Sequence, residues 1–309
     1  MQKPPLHVVT PLIESLPLSR AGARRVWLKL EALQPCGSFK ARGIGHLCQT
    51  LRERGCERFV SSSGGNAGLA VAYAGRKLGV PVTVVVPETT GARARRAIAA
   101  ESAQLIVYGQ SWQEAHEHAL SLVAADAQYV HPFDDALIWE GHASLVAEIA
   151  ASGVKPDAIV LSVGGGGLLA GVAHGLKHSG LERVALVTAE TEGADSLAQS
   201  VAAGSVIELA RISSVATTLG AKRVAQRAFE VCREFQTHTQ VVSDLAAVRA
   251  CLQFADDHRL VVEPACGAAL ALFYQDAAVL NAFREIVVIV CGGAGASFGE
   301  LTALEQRLI

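Results

Sequence analysis

Lys40 stands in the run CGSFKARG, among small residues and a single phenylalanine, Phe39. A primary amine there can condense with a carbonyl to form a Schiff base, and the amine released again is a competent base. If a helix begins near Ser38, a lysine ammonium sits at the positive end of its dipole, which is unfavourable. Bringing a lysine pKa from ~10.4 to neutrality takes roughly 4 kcal/mol of differential interaction. Use as an imine avoids that demand. Taken alone, Lys40 also fits an ordinary solvated lysine at a helix start.

Two glycine-rich turns follow. SSSGGNAG places Gly64 and Gly65 between a strand end near Ser62 and a helix start near Asn66. Backbone N–H groups exposed at such a helix N-terminus receive a carboxylate or another anion, and Ser63 and Asn66 add side-chain hydrogen bonds. The same run also fits a well-capped strand-to-helix turn. VGGGGLLAG sets Gly164, Gly165, Gly166 and Gly167 before an apolar helix at 168–176. Consecutive glycines cost chain entropy that a plain turn does not require. Backbone wrapped closely around a phosphate dianion explains them. Amine, carboxylate seat and phosphate seat together suggest a carbonyl cofactor that carries a phosphate.

A rival reading uses the third turn differently. Gly165, Gly167 and Ala170 fit G-x-G-x-x-A after a strand, and Glu190 lies twenty residues past Ala170. That is a dinucleotide fingerprint with its ribose-binding acid, and it implies an NAD-dependent oxidoreductase. It leaves Lys40 and SSSGGNAG without roles. In VVIVCGGAG, a buried strand is expected to end at Cys291. Cysteine is often buried for packing alone. A thiol at a strand's carboxyl end also faces the crevice where open α/β sheets bind ligands.

These residues need a scaffold. The chain has 309 residues, 50% of them hydrophobic, 18% charged, with a mean hydropathy of +0.32. No stretch reaches the ~18 uninterrupted apolar residues of a membrane span. Continuous runs such as VTVVV and EIVVIV instead predict parallel strands buried on both faces. Strands are expected at 26–31, 58–62, 82–86, 104–107, 158–162, 184–189 and 286–291. Helices are expected between them, among them 67–78, 111–124 and 137–151. The alternation predicts an α/β fold with helices on both faces of parallel sheets. ASGVKP, at 151–156, is the clearest punctuation between two α/β units. The net charge of −2 and pI near 6.6 offer no basic field for nucleic acid. The start of the chain is too polar and proline-rich for a secretion signal, and seven dispersed cysteines lack any Cys-x-x-Cys pair. Reduced thiols in a cytoplasmic protein without zinc are expected.

In this order, CGSFKARG, SSSGGNAG, VGGGGLLAGV, AETEGADS, VEPACGAALA and IVCGG resemble the fold-type II pyridoxal-phosphate enzymes. The nearest likeness is to the serine/threonine dehydratases of the short serine-dehydratase type, and FDDALIWEGHASLV is similar to the corresponding stretch of that subgroup. The resemblance runs from about Thr10 to the C-terminus. It implies a tryptophan synthase β-like fold of two interleaved α/β domains. The small domain would cover 37–135, and 1–36 with 136–309 would form the large domain that binds pyridoxal 5'-phosphate.

By that resemblance Lys40 carries the cofactor as an imine and is the catalytic base, while Phe39 packs on the cofactor ring. Asn66 would bond the ring's 3'-oxygen, and Gly164, Gly165, Gly166, Gly167 and Leu168 would hold the phosphate. Cys291 would face the pyridine nitrogen. Ser63, Gly64, Asn66 and Ala67 would receive the substrate. Gly164, Glu190, Ala194, Leu219 and Ala221 would bind a monovalent cation, usually potassium; Glu190 read alone is equally a surface acid flanking a helix. Serine racemases of this fold carry a second catalytic serine where Gly64 stands here, so Gly64 implies poor racemisation. The implied reaction is β-elimination from L-serine to pyruvate and ammonia, and from L-threonine to 2-oxobutanoate, in a homodimer. A β-replacement transferase of the cysteine synthase type is the enzymatic alternative. The last expected helix, 301–308, closes the chain, so no regulatory domain is expected.

Overall fold

Short runs rich in Val, Ile and Leu form most of the inner strands of two sheets. The computed structural model describes residues 4–20 and 24–309; residues 1–3 and 21–23, assigned from sequence to the large domain, lie outside them. Among the described residues the strands are Leu12–Glu14 (β1), Arg25–Lys29 (β2), Arg58–Ser61 (β3), Val82–Val86 (β4), Gln104–Val107 (β5), Ala127–Tyr129 (β6), Ala158–Ser162 (β7), Ala185–Thr191 (β8), Thr237–Val242 (β9) and Glu285–Ile289 (β10). β4, β7 and β8 are buried along their whole length, the condition under which a strand can be apolar on both faces.

One sheet has the order β1-β2-β10-β7-β8-β9, with β1 antiparallel to β2 and every other neighbour parallel. The second sheet, β5-β4-β3-β6, is wholly parallel. In the second sheet the chain steps from β3 out to β5, then returns with β6 to the other side of β3. In the first it steps from β7 out to β9, then returns with β10 to the other side of β7. At such switch points neighbouring loops diverge and open a crevice at the carboxyl ends of the strands. SSSGGNAG leaves β3, the four-glycine turn leaves β7, and the CGGAG turn follows β10. All three glycine motifs therefore fall at switch points.

Several boundaries differ from expectation. β1, β6 and β9 were not predicted. β1 and β6 are three residues long, and β9 (THTQVV) is a polar, half-buried edge strand without an apolar run. β10 ends at Ile289, and Cys291 lies two residues beyond it rather than within it. The helix expected to begin near Ser38 is Lys40–Glu53, entered through Phe39.

The largest fully buried side chain is Arg42, two residues past Lys40. Its Nε and Nη2 donate to the two oxygens of buried Glu31 at 2.7 and 2.8 Å. Nη1 and Nη2 donate to Glu148 at 2.6 and 2.8 Å, and Nη1 also reaches Ser144 Oγ at 3.0 Å. Lys29 of β2 pairs with Glu148 and donates to the Thr10 carbonyl at 2.7 Å. The N-terminal segment, β2, the Lys40–Glu53 helix and the Ala136–Ala151 helix meet on this cluster. Removing one member of a buried ion set leaves its partners charged and unpaired. Arg42→Met is expected to lower stability by about 3–5 kcal/mol, seen as an earlier midpoint in denaturant unfolding. A midpoint equal to wild type would contradict that reading of the cluster.

Candidate active site

Lys40 is placed from two directions. Its backbone enters the helix across an antiparallel bridge between Ser38 and Gly292, with Phe39 N–H donating to the Cys291 carbonyl at 3.1 Å and Gly293 N–H to the Gly37 carbonyl at 2.9 Å. The glycines allow it: Gly37, Gly292 and Gly293 all have φ between +76° and +126°, a region costly for other residues. Its side chain, half-buried, donates from Nζ to the Pro132 carbonyl at 2.5 Å. Pro132 lies in the segment leaving β6, so the amine bridges the crevices of both sheets. Nζ also stands 5.2 Å from the centre of the Phe39 ring. Burial lowers the Lys40 pKa from 10.5 to about 8, against the opposing pull of Cys291 and Glu263.

Across the crevice, Asn66 is the first residue of the Asn66–Leu78 helix. Its amide is held at both ends: Nδ2 donates to Glu263 Oε1 at 2.7 Å, and Oδ1 accepts from Ala294 N–H at 3.1 Å. Ser63 Oγ accepts from Gly65 N–H at 3.3 Å. The first-turn N–H groups of Asn66 and Ala67 have no helical acceptor, as at any helix start. Gly64 has a neighbour that sequence reading did not anticipate. A Cβ there would lie 2.6 Å from Thr90 Oγ1.

After β7 the backbone passes Gly164 to Gly167 and enters the Gly167–His178 helix, with Gly166 at φ +90°. The first intrahelical bond is Ala170 N–H to Gly166 O, which leaves the preceding N–H groups free to hold an anion. A side chain at Gly165 would enter the Phe133 ring, and one at Gly166 would strike Ala228. Cys291 is 7% exposed. The neighbouring Cys266 and burial hold its thiol well above the ordinary range, so it is neutral.

Glu263 is the site residue that sequence reading missed. It is 5% exposed and accepts from Asn66 Nδ2 and from Thr218 Oγ1, the latter at 2.5 Å. A Cβ on Gly293 would collide with its carboxyl group. Burial raises its pKa, and hydrogen bonds from Thr218, Asn66 and the Gly295 N–H, with the charge of Lys40, oppose the rise. The available signal was a lone acid before proline in the otherwise apolar run VVEPACGAALA, a position where a charge needs partners.

Glu190 is fully buried, which removes the reading of a surface acid. Its oxygens accept from the N–H groups of Leu197 and Ala198 at 2.8 and 2.7 Å. Burial raises its pKa to about 8. Gly164 lies against Leu219, whose carbonyl accepts from Ala221 N–H at 2.7 Å, and Ala194 bridges back to Thr191 beside Glu190. The structure thus brings Gly164 to Leu219 and Ala194 to the Glu190 strand end.

The residues present fit pyridoxal phosphate. A neutralisable lysine amine, unpartnered backbone donors at a helix start, an oriented amide and a neutral thiol line one crevice. Glycines let the Phe133 ring and the Glu263 carboxyl come close against the turns. A family model described as "Pyridoxal-phosphate dependent enzyme" matches residues 4–292. The chain is 47% identical to the human protein "Serine dehydratase-like" over 98% of this chain and 95% of that protein. It is 48% identical to the "L-serine dehydratase/L-threonine deaminase" of Bos taurus over 98% of this chain and 96% of that one. The crystal structure of a fungal L-serine ammonia-lyase from Rhizomucor miehei superposes with a TM-score of 0.94 at 36% identity, covering 99% of this chain and 100% of that one.

The depressed lysine pKa can be measured directly. In protein stripped of any cofactor, competitive acetylation read by mass spectrometry should give Lys40 a reactivity midpoint at about pH 8. It should be charged and unreactive below that pH and neutral above it. A midpoint near that of surface lysines would contradict the burial argument.

Proposed function

Because the chain belongs to the pyridoxal-phosphate-dependent enzymes, we propose that it deaminates L-serine to pyruvate and ammonia, and L-threonine to 2-oxobutanoate. The carrying observation is the Lys40 amine, held by the Pro132 carbonyl between two glycine turns, with a pKa brought down to about 8. Relatives named serine dehydratase along nearly the whole chain support the same reaction. Family membership removes the dinucleotide reading of the four-glycine turn.

Pyridoxal phosphate, when bound, supplies an aldehyde that captures amines and a ring that withdraws electrons from the carbon bearing the nitrogen. The free N–H groups of Gly164 to Gly167 and Leu168 would hold its phosphate, and Phe39 would pack on its ring. Asn66, with its amide turned by Glu263 and Ala294, would donate to the ring oxygen. Cys291 stays protonated, so no charged partner faces the ring nitrogen, which favours elimination over a long-lived carbanion. The N–H groups of Gly64, Asn66 and Ala67, with Ser63, receive the substrate carboxylate. Lys40 Nζ, neutral in a usable fraction near neutral pH, takes the proton from the α-carbon. The β-hydroxyl leaves as water, taking up the proton equivalent that Lys40 removed, and addition of one water to the carbon–nitrogen bond releases ammonia and leaves the keto acid. Gly64 offers no side chain to return a proton from the other face.

The sheets support the domain division given above, since β3 to β6 all fall within 37–135 and the other strands fall outside it. The unpaired cysteines support a reducing, cytoplasmic compartment, and the family resemblance supports a homodimer. Glu190, buried without a cationic side-chain partner among the described residues, supports a monovalent cation held with the carbonyls of Gly164, Ala194, Leu219 and Ala221.

Purified protein should be yellow, borohydride should fix the cofactor to Lys40, and Lys40→Ala should release no pyruvate from L-serine. Pyruvate from Lys40→Ala at the wild-type rate would sink the assignment. Product appearing only with O-acetylserine and sulfide would instead select the β-replacement reaction. For the cation, melting should occur several degrees higher in potassium chloride than in tetramethylammonium chloride, and Glu190→Gln should erase the difference. Equal melting of the wild type in both salts removes the cation.

A further inference from the structure

Thr90 sits in the turn leaving β4, next to β3 in the second sheet. A Cβ at Gly64 would lie 2.6 Å from Thr90 Oγ1, 2.8 Å from Cγ2 and 3.3 Å from Cβ. The stem of Thr90 is as much in the way as its branches, so turning the side chain does not clear the space. The turn does not readily yield either. Thr90 N–H donates to the Pro87 carbonyl at 3.0 Å, and Arg95 Nε donates to the Thr90 carbonyl at 2.7 Å. Arg95 also reaches the Glu88 carbonyl. Glycine at 64 is therefore a packing requirement set by Thr90.

The Thr90 hydroxyl has no protein hydrogen-bond partner among the described residues. It is half-buried, against the turn whose N–H groups face the substrate carboxylate in the lyase reading. The hydroxyl is open to solvent rather than sealed in the core, so it is free to bond a ligand that enters beside the turn. It occupies the space that a side chain from position 64 would take.

Building on that lyase reading, we propose that Thr90 is a substrate-binding residue of the site. Its hydroxyl passes over Gly64 to donate a hydrogen bond to the substrate α-carboxylate, and its methyl group walls the pocket beside the asparagine turn. Gly64 and Thr90 act as one unit: the turn lends its missing side chain to a residue from the neighbouring strand. The selected substrate is a small α-amino acid whose carboxylate meets a hydroxyl donor as well as backbone N–H groups.

L-Alanine has no β-leaving group, so its binding to the holoenzyme can be measured by calorimetry without turnover. Thr90→Val keeps the shape and removes the donor. It should weaken L-alanine binding and raise the KM for L-serine about tenfold, the loss of one hydrogen bond to a charged group, with kcat within about twofold. Thr90→Ser should bind L-alanine close to wild type. Gly64→Ala should lower both the melting temperature and L-alanine affinity, and adding Thr90→Ala should restore most of the melting temperature, because the two sites share one space, while affinity stays about tenfold below wild type for want of the hydroxyl. Wild-type L-alanine affinity in Thr90→Val overturns the hydroxyl contact, and additive effects of Gly64→Ala and Thr90→Ala overturn the shared space. If wild-type protein makes no pyruvate from L-serine, the lyase reading fails by itself. The alanine titrations still judge Thr90.

Discussion

The buried guanidinium of Arg42 is the constraint from which the active-site geometry follows. A planar fork that must satisfy Glu31 and Glu148 together has essentially one orientation. Because Arg42 lies in the first turn of the Lys40 helix, that orientation also sets the height and rotation of Lys40. Glu148 is shared with Lys29 of β2, and Glu31 with Thr10 of the N-terminal segment. The helix carrying the amine is thereby registered against the large sheet by charge, while its side chain reaches Pro132 beside the small one. An apolar cluster of equal volume could fill the space with comparable stability. It could not fix the rotation of a helix so narrowly.

Glycines complete the same geometry by letting other residues approach. Thr90 lies where the side chain of residue 64 would be, the Phe133 ring where that of residue 165 would be, and the Glu263 carboxyl where that of residue 293 would be. Wrapping an anion accounts for glycine-rich backbone in general. These three contacts account for glycine at these positions in particular. The incoming groups differ in kind: a hydroxyl, an aromatic face and a carboxyl. A side chain restored at any of the three would displace a functional group as well as disturb a turn.

Much of the site was legible because its chemistry depends on local runs. Lys40 among small residues, Asn66 after paired glycines and the glycines at 164–167 each announce themselves within a few positions. Cys291 was legible as a thiol at the end of an apolar strand, though the strand stops two residues earlier. Glu263 and Thr90 were not, because each is defined by partners far away in the chain. Glu263 meets Asn66 and Thr218, and Thr90 meets Gly64. Glu190 was placed by resemblance, but only its complete burial distinguishes it from a surface acid. Among strands, the long apolar ones were visible. β9 was hidden because an edge strand exposed along one side keeps polar residues.

The amino-acid order alone settles the α/β class, the three glycine turns and the amine, because strand burial, anion-binding turns and lysine chemistry are all written in short windows. The tertiary structure decides which turns face one another, and it does so through the two switch points where β6 and β10 return beside β3 and β7. It also decides the state of each group. Burial brings Lys40 down to about 8, keeps Cys291 protonated and leaves Glu263 needing Asn66 and Thr218 as partners. A residue's protonation and reach depend on what surrounds it in space, and neighbours distant in sequence supply those surroundings.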